Sequence, residues 1–143
     1  MSAGRRKVAP GSPGDWLRHA MSDLALGRLG RGRPDVLPAQ VCFHAQQAIE
    51  KALKGFLTHH HLRFPPVHDL EQLLEILQRS DIGLPDWSEE LLKATPYAVE
   101  TRYPGGWEEV THEDCNRALE LAAKTVDWVT SEIQSPPPEC NLH

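Results

Sequence analysis

The sequence predicts an all-α protein, an up-and-down bundle of four to five antiparallel helices. Five segments repeat apolar residues at the intervals of three and four that a helix requires, and no alternating run is long enough for a convincing strand. The connecting segments are short, which favours antiparallel neighbours. A chain of 143 residues fits one domain. We expect the bundle to occupy residues 14–133, between disordered tails at 1–13 and 134–143.

The first helix begins at Ser12, which is a good N-cap, with Pro13 at the first helical position and Asp15 at the third. Its apolar face carries Leu17, Ala20, Met21 and Leu24. The helical pattern fades at Gly27. The following loop, residues 30–34, is rich in glycine and arginine. It is either a phosphate-contacting arm or a solvated connector, and the connector is the commoner use of such a loop.

The second helix runs from about Pro38 to His60 and is the longest uninterrupted helical signal. Its core-facing side collects Val41, Ala45, Ala48, Ile49, Ala52, Leu53 and Phe56. Its opposite side forms a polar ridge made of Gln40, His44, Gln47, Lys51, Lys54 and Thr58. Such a ridge is typical of a solvent-exposed face. Phe43 lies on this polar side, where an aromatic ring indicates an interface with a second copy or another partner.

Polar caps define the third and fifth helices. The third begins at Asp69, with Gln72 completing a capping box, and ends near Ser80. The fifth begins after Thr111, and acidic residues in its first turn favour the helix dipole. Its apolar stripe consists of Cys115, Ala118, Ala122, Val126, Val129 and Ile133.

A fourth helix starts around Asp86 or Ser88. Pro96 bends or restarts it, because proline cannot donate the helical hydrogen bond. The flexible segment that follows is aromatic and contains Tyr97, Tyr103 and Trp107. These rings are suited either to stack on a nucleic-acid base or to fill the space between helix ends.

Composition narrows the class of protein. A net charge of −5 argues against electrostatic binding of nucleic acid by the whole protein surface, so we expect any such contact to be local. Three scattered cysteines are too few for a disulfide framework and indicate a reducing compartment. No apolar run approaches the roughly 18–20 residues that span a bilayer, and no signal peptide is recognisable. We expect a cytoplasmic protein that has no membrane partner and needs no cofactor.

Four histidines, His59 to His61 and His68, invite a metal-binding interpretation, since imidazoles are common zinc and nickel ligands. Neighbouring residues on a helix point about 100° apart, however, and no cysteine or carboxylate lies at a supporting spacing. We therefore expect no metal site.

Three separated blocks carry a family resemblance. The first is Val41–Lys54, the second is His68–Leu70 at the start of the third helix, and the third is Tyr97–Pro104 ahead of the last helix. In this order they resemble the signature helix, the following helix start and the tyrosine-rich "RYP" segment of prokaryotic HEPN domains. The resemblance covers about Trp16 to Ile133.

The resemblance implies a bundle of four or five helices that is often a homodimer. It also implies a partner, because such domains are frequently encoded beside a minimal nucleotidyltransferase, in systems of the toxin–antitoxin kind. Nucleotide or RNA binding is one implied function. RNA cleavage is another, since HEPN ribonucleases join an Arg-x4-6-His motif at a dimer interface and cleave without metal through the 2′-hydroxyl of the RNA.

This sequence departs from the ribonuclease motif. Arg102 lies where the family's arginine is expected, but nine residues separate it from His112. Arg63 and His68 have the required spacing, yet they precede the third helix instead of the last one. The departure puts ribonuclease activity in doubt.

Three interpretations therefore stay open. The chain is a binding module with a groove beside the second and fourth helices, an endoribonuclease with a displaced histidine, or a structural adaptor. The candidate catalytic residues are Arg102, to stabilise the charged transition state, and His44, His68 or His112, to move protons. The candidate interface residue is Phe43. The candidate nucleotide- or RNA-binding residues are Gln47, Lys51, Lys54, Tyr97 and Tyr103.

Overall fold

A computed structural model of the chain describes residues 8–66, 69–94 and 110–134. It confirms the all-α fold, because every regular element in these ranges is helical. The elements are α1 (Pro13–Gly30), α2 (Pro38–His59), α3 (Leu70–Gln78), a 3₁₀ helix (Asp86–Ala94) and α4 (His112–Gln134).

The start of α1 is confirmed, and its end is one turn later than predicted. The Ser12 hydroxyl accepts a hydrogen bond from the backbone N–H of Asp15 at 3.2 Å. Helix α1 continues through Gly27 to Gly30. A Cβ atom at Gly27 would lie 2.8 Å from Cδ2 of Leu119. The glycine at this position therefore permits close packing of α1 on α4, and it does not mark a helix end.

The caps at Asp69 and Thr111 are also confirmed, although Gln72 donates to the Asp69 carboxylate and does not act as the acceptor of the capping box predicted there. The Asp69 carboxylate accepts hydrogen bonds from the backbone N–H of Glu71 at 3.0 Å and from the side-chain amide of Gln72 at 3.1 Å. Thr111 and Asp114 form a reciprocal pair, in which each backbone N–H donates to the other's side chain at 3.0 and 3.1 Å. Local side-chain chemistry thus sets the starts of both helices.

The fourth predicted helix is present over Asp86–Ala94, and its geometry is 3₁₀. Nine residues is long for this geometry, which is used mostly in short pieces. Tertiary contacts hold it, because Leu91 is buried and the Trp87 ring lies edge-on to Trp128 of α4 at 6.2 Å between centroids. The predicted irregularity at Pro96 and the aromatic segment after it lie outside the described residues.

Helix α2 lies at the centre of the bundle. Helices α1 and α4 pack along it and against each other, α3 packs on α2, and the 3₁₀ helix packs on α3 and α4. The predicted core face of α2 is confirmed, since all seven of its residues are buried. At Gly55 a Cβ atom would lie 3.1 Å from Cβ of Trp16 and 3.2 Å from the Pro13 carbonyl oxygen, so the start of α1 touches the α2 backbone there.

The polar ridge of α2 is partly covered: Gln40 is exposed, whereas the ridge residues nearer the middle of the helix face solvent less than a fully solvated ridge would. Lys54 is only 4% exposed, and the ridge residues between Gln40 and Lys54 are half-buried. The reason is that α1 packs on this side of the central helix. Polar groups placed there need partners, because an unsatisfied buried polar group is costly.

No helix within the described ranges is both long enough and apolar enough to cross a bilayer.

Candidate functional site

A polar cluster joins α1 to the ridge of α2. We define the Asp23 cluster as Asp23, His44 and Lys51. The Oδ1 atom of Asp23 lies 3.0 Å from Nδ1 of His44, and Oδ2 lies 2.7 Å from Nζ of Lys51. His44 and Lys51 are seven residues apart, which is nearly two helical turns, so both point to the same neighbour. One carboxylate on α1 therefore fixes two side chains of α2.

The Asp23 cluster is only partly shielded from water. The exposed fractions of the side chains are 12% for Asp23, 25% for Lys51 and 31% for His44. An ionised carboxylate only accepts hydrogen bonds, so the His44 nitrogen that faces it, Nδ1, carries a proton. In a neutral imidazole the other nitrogen, Nε2, is then an acceptor. The cluster thus fixes the orientation of the His44 ring and of its second nitrogen.

Asp23 is the functional candidate that sequence reasoning missed. A signal was present, since this acidic residue lies between the apolar positions Ala20 and Leu24 of α1 and is only 8% exposed. Carboxylates are rarely buried unless they are paired. The polar ridge of α2 contains His44 and Lys51, which are suitable partners for a buried carboxylate. Which helix would cover that ridge was not evident from either helix alone.

Lys54 lies in the core, which disagrees with its expected role as a phosphate ligand. Its Nζ atom is 3.0 Å from Oε2 of Glu50, and the exposed side-chain fractions are 6% for Lys54 and 2% for Glu50. The same ammonium lies 5.3 Å from the ring centroid of Trp16 and 5.9 Å from that of Phe64. Within the described ranges the ammonium is thus almost fully enclosed by protein groups, which disfavours contact with a phosphate.

An open groove of about 300 Å³ lies between the C-terminal half of α1 and the N-terminal half of α2. We call it the α1–α2 groove. Its apolar walls are made by Leu26, Leu29, Val36 and Val41. Arg33, Gln40 and His44 also line it, but nearly all of its accessible surface is apolar. Since His44 belongs both to the groove and to the Asp23 cluster, the two features form one continuous surface.

The remaining predicted site residues fall into two groups. Gln47 is half-buried on α2, and Phe43 is half-buried with its ring edge-on to His44 at 5.5 Å between centroids. The structure therefore brings Phe43, His44 and Lys51 to one part of α2. The other predicted residues, Arg102, His68, Tyr97 and Tyr103, lie outside the described residues.

The described part of the chain contains neither a cluster of metal ligands nor a reactive thiol. No group of three or more His, Cys, Asp or Glu side chains there is arranged to hold a metal ion. The His60 ring instead packs on Phe56, at 4.4 Å between centroids, and burial lowers its pKa. Burial raises the pKa of the Cys42 and Cys115 thiols, which keeps them protonated and poorly nucleophilic.

The fold and sequence resemble known proteins. The profile of the HEPN domain matches residues 14–133. The crystal structure of TT1696 from Thermus thermophilus is 28% identical and superposes with a TM-score of 0.71 over 85% of this chain and 98% of that chain. The structure of ST0689, described as an archaeal HEPN homologue, has the same fold at 23% identity, with a TM-score of 0.63 over 86% and 98% of the two chains. No curated protein sequence matches significantly.

The family match extends over most of the chain, from the first turn of α1 to the end of α4. It covers the Asp23 cluster, the α1–α2 groove and the buried Lys54 pair. The chain belongs to the HEPN domain family.

Proposed function

We propose that this chain is a nucleotide- or RNA-binding HEPN module. In this proposal it works as a homodimer in the cytoplasm, with a separately encoded minimal nucleotidyltransferase, in a system of the toxin–antitoxin kind. The observation that supports binding most directly is the Asp23 cluster. It holds His44 in one orientation at the surface, beside the largely apolar α1–α2 groove.

The charge of the site indicates a local and modest interaction. Lys51 is already paired with Asp23, so the cluster adds little net positive charge. The whole chain is acidic, with a net charge of −5. Binding should therefore rest on hydrogen bonds and ring contacts more than on counterion release, and its affinity should fall only weakly as salt rises.

Fluorescence anisotropy with a labelled single-stranded RNA tests this proposal. His44→Ala should weaken binding about tenfold, which corresponds to roughly 1.4 kcal/mol, the loss of one hydrogen bond and a ring contact. His19→Ala is the matched control, since His19 is an exposed histidine on α1 outside the cluster and the groove. Equal effects of the two substitutions, or no binding by the unaltered protein, would contradict the proposal.

The partnership with a nucleotidyltransferase has its own test. Co-expression of the two proteins should give a complex that stays together during size-exclusion chromatography at micromolar concentration. A binding-deficient His44→Ala protein should still form the complex if the two functions use different surfaces. Elution of the two proteins as separate species would remove the partnership from the proposal and leave RNA binding unaffected.

A second candidate function is metal-independent RNA cleavage, and the Asp23–His44 pair is the observation that favours it. A histidine oriented by a carboxylate is the arrangement of a general base. Nε2 of His44 would take the proton of the 2′-hydroxyl, O2′ would attack phosphorus, and the bond to O5′ would break. The products would be a 2′,3′-cyclic phosphate and a 5′-hydroxyl, which takes up a proton. Arg102 would stabilise the charged transition state.

Incubation of RNA with the protein and a chelator separates the two candidates. Cleavage that is lost in both His44→Ala and Arg102→Ala supports the enzyme. Binding without cleavage supports the binding module. If the protein neither binds nor cleaves RNA but still assembles through Phe43, it is a structural adaptor.

A further inference from the structure

The α1–α2 groove is an open apolar surface in the described part of the chain, and nearly all of its accessible lining is apolar. Leu26 and Leu29, on its α1 wall, are 50% and 72% exposed. Leu37, which follows the lining residue Val36, is 67% exposed. Single exposed apolar side chains need no explanation, but a group of them beside a groove is typical of a surface that binds a partner.

We propose that the α1–α2 groove docks one face of an acidic amphipathic helix that belongs to a second protein. The occupant has two defining features, an apolar ridge that fills the groove and carboxylates beside that ridge. The proposal goes beyond the binding of nucleotide or RNA, because it concerns a different class of ligand and rests on the apolar walls of the groove instead of the Asp23 cluster.

The shape of the groove favours a helix. It is a concave space of about 300 Å³ whose walls are side chains of α1 and α2. Side chains three and four residues apart form ridges on a helix, and such ridges fit the groove between two other helices. A bilayer surface is flat on this scale and would leave the concavity unfilled. A base or a phosphate would find almost no hydrogen-bonding group on the accessible lining.

The charge around the groove favours an acidic partner. Every lining residue falls within residues 26–44, a segment that contains three arginines but one acidic residue, Asp35. The whole chain, in contrast, has a net charge of −5. Arg28, Arg31 and Arg33 are exposed, and Arg33 lines the groove. Exposed charges attract one another over about 10 Å at ordinary salt, so carboxylates on a docked helix would stabilise it here.

The same charges disfavour a second copy of this chain in the groove. A two-fold interface places the same surface of both copies face to face, so the two arginine-rich segments would meet. Arg33 is paired with Asp35 at 3.1 Å, but both side chains are largely exposed and such a pair contributes little. Arg31 donates to the neutral side chain of Asn116 at 3.2 Å, a contact that leaves its charge in place. Phe43, the residue expected at a homodimer interface, does not line the groove.

Fluorescence anisotropy with three designed, labelled helical peptides of equal length tests the assignment. The first has leucines at intervals of three and four on one face and glutamates on the other. Lysine replaces every glutamate in the second, and glutamine replaces every leucine in the third. The first peptide should bind at micromolar concentration, and each of the others should bind at least about tenfold more weakly, because each lacks one of the two defining features.

Two substitutions in the groove should weaken the binding of the acidic leucine peptide. Leu29→Gln should weaken it about tenfold, because it removes an apolar wall. Arg33→Gln should weaken it about threefold and make the affinity less sensitive to salt, because it removes the cation beside the ridge. Both residues are exposed, so the substitutions should leave the fold intact.

Two substitutions elsewhere on α1 serve as matched controls. Met21→Gln removes an apolar side chain that is 45% exposed but does not line the groove. Arg18→Gln removes an exposed arginine that pairs with an aspartate, as Arg33 does, but in the first half of the helix. Neither should alter the affinity for the acidic leucine peptide.

Three results would overturn the inference. The first is equal binding of the glutamate and lysine peptides, or unchanged binding of the acidic leucine peptide by Leu29→Gln. The second is a shift of Leu29→Gln towards the monomer in sedimentation velocity, which would place a second copy in the groove. The third is the absence of peptide binding together with Leu29-dependent binding to phosphatidylglycerol vesicles, which would assign the surface to a membrane. RNA binding is measured separately through His44→Ala, so either proposal can fail while the other stands.

Discussion

The carboxylate of Asp23 on α1 accepts a hydrogen bond from the imidazole of His44 on α2, with 3.0 Å between Oδ1 and Nδ1. The two residues are 21 positions apart, and the contact forms only when the helices pack. The second oxygen of the same carboxylate binds Lys51 at 2.7 Å. Asp23 therefore links the packing of two helices to the orientation of the candidate functional histidine.

Asp23→Asn should destabilise the fold by about 1–3 kcal/mol, because it replaces a carboxylate between two cationic or hydrogen-donating groups by a neutral amide. The amide has nearly the same shape, so packing is preserved. Urea denaturation measures the loss. Asp35→Asn is the control, since Asp35 also pairs with a cation but is 67% exposed, and it should change the free energy of unfolding much less than Asp23→Asn does. Equal losses in the two variants would mean that Asp23 is no more than a surface pair.

Lys54→Met should cost about 3–5 kcal/mol, because it removes the cation beside the buried carboxylate of Glu50. The double substitution Lys54→Met with Glu50→Leu should recover much of the loss, since the buried carboxylate that paired with Lys54 is then removed as well. Comparison of the two proteins by urea denaturation tests the role assigned to Lys54. A single variant as stable as the unaltered protein would show that the ammonium is accessible after all.

Phe43→Asp should weaken self-association. The ring is half-buried within one chain, and its coverage by a second chain would contribute up to about 1.5–3 kcal/mol per copy. Sedimentation velocity should show a shift towards the monomer and, if the site lies at the interface, a parallel loss of RNA binding. Lys51→Ala should weaken binding but keep the oligomer. An oligomeric state unchanged in Phe43→Asp would contradict the prediction that Phe43 lies at an interface.

His60 should make the fold sensitive to mild acid. Burial lowers its pKa in the folded chain below the value of about 6.5 that it has when unfolded. Its contribution to stability is therefore complete above that unfolded value and is lost as the pH falls through the lower folded value, because the unfolded chain takes up the proton first. His60→Phe should lose less stability between pH 8 and pH 5 than the unaltered protein does, as measured by urea denaturation. The same pH dependence in both proteins would assign the acid sensitivity to other groups.

Local chemistry was sufficient to predict most of the helical framework. The caps at Ser12, Asp69 and Thr111 act on backbone groups within three residues, so the sequence shows them directly. The apolar face of α2 was equally readable, because its period follows from helix geometry alone. The sequence could not predict whether Asp86–Ala94 is an α-helix or a 3₁₀ helix, since contacts of Trp87 and Leu91 with distant parts of the chain hold that segment.

The sequence by itself thus determined where helices form and which side of each is apolar. Only the tertiary structure decided what covers the polar ridge of α2, and hence that Lys54 lies in the core while His44 stays at the surface. The physical reason is the sequence distance over which each kind of interaction acts. Helical hydrogen bonds and caps join residues a few positions apart, whereas desolvation depends on which remote helix packs on a given face. The Asp23 carboxylate on α1 contacts His44 and Lys51 only because α1 packs along α2.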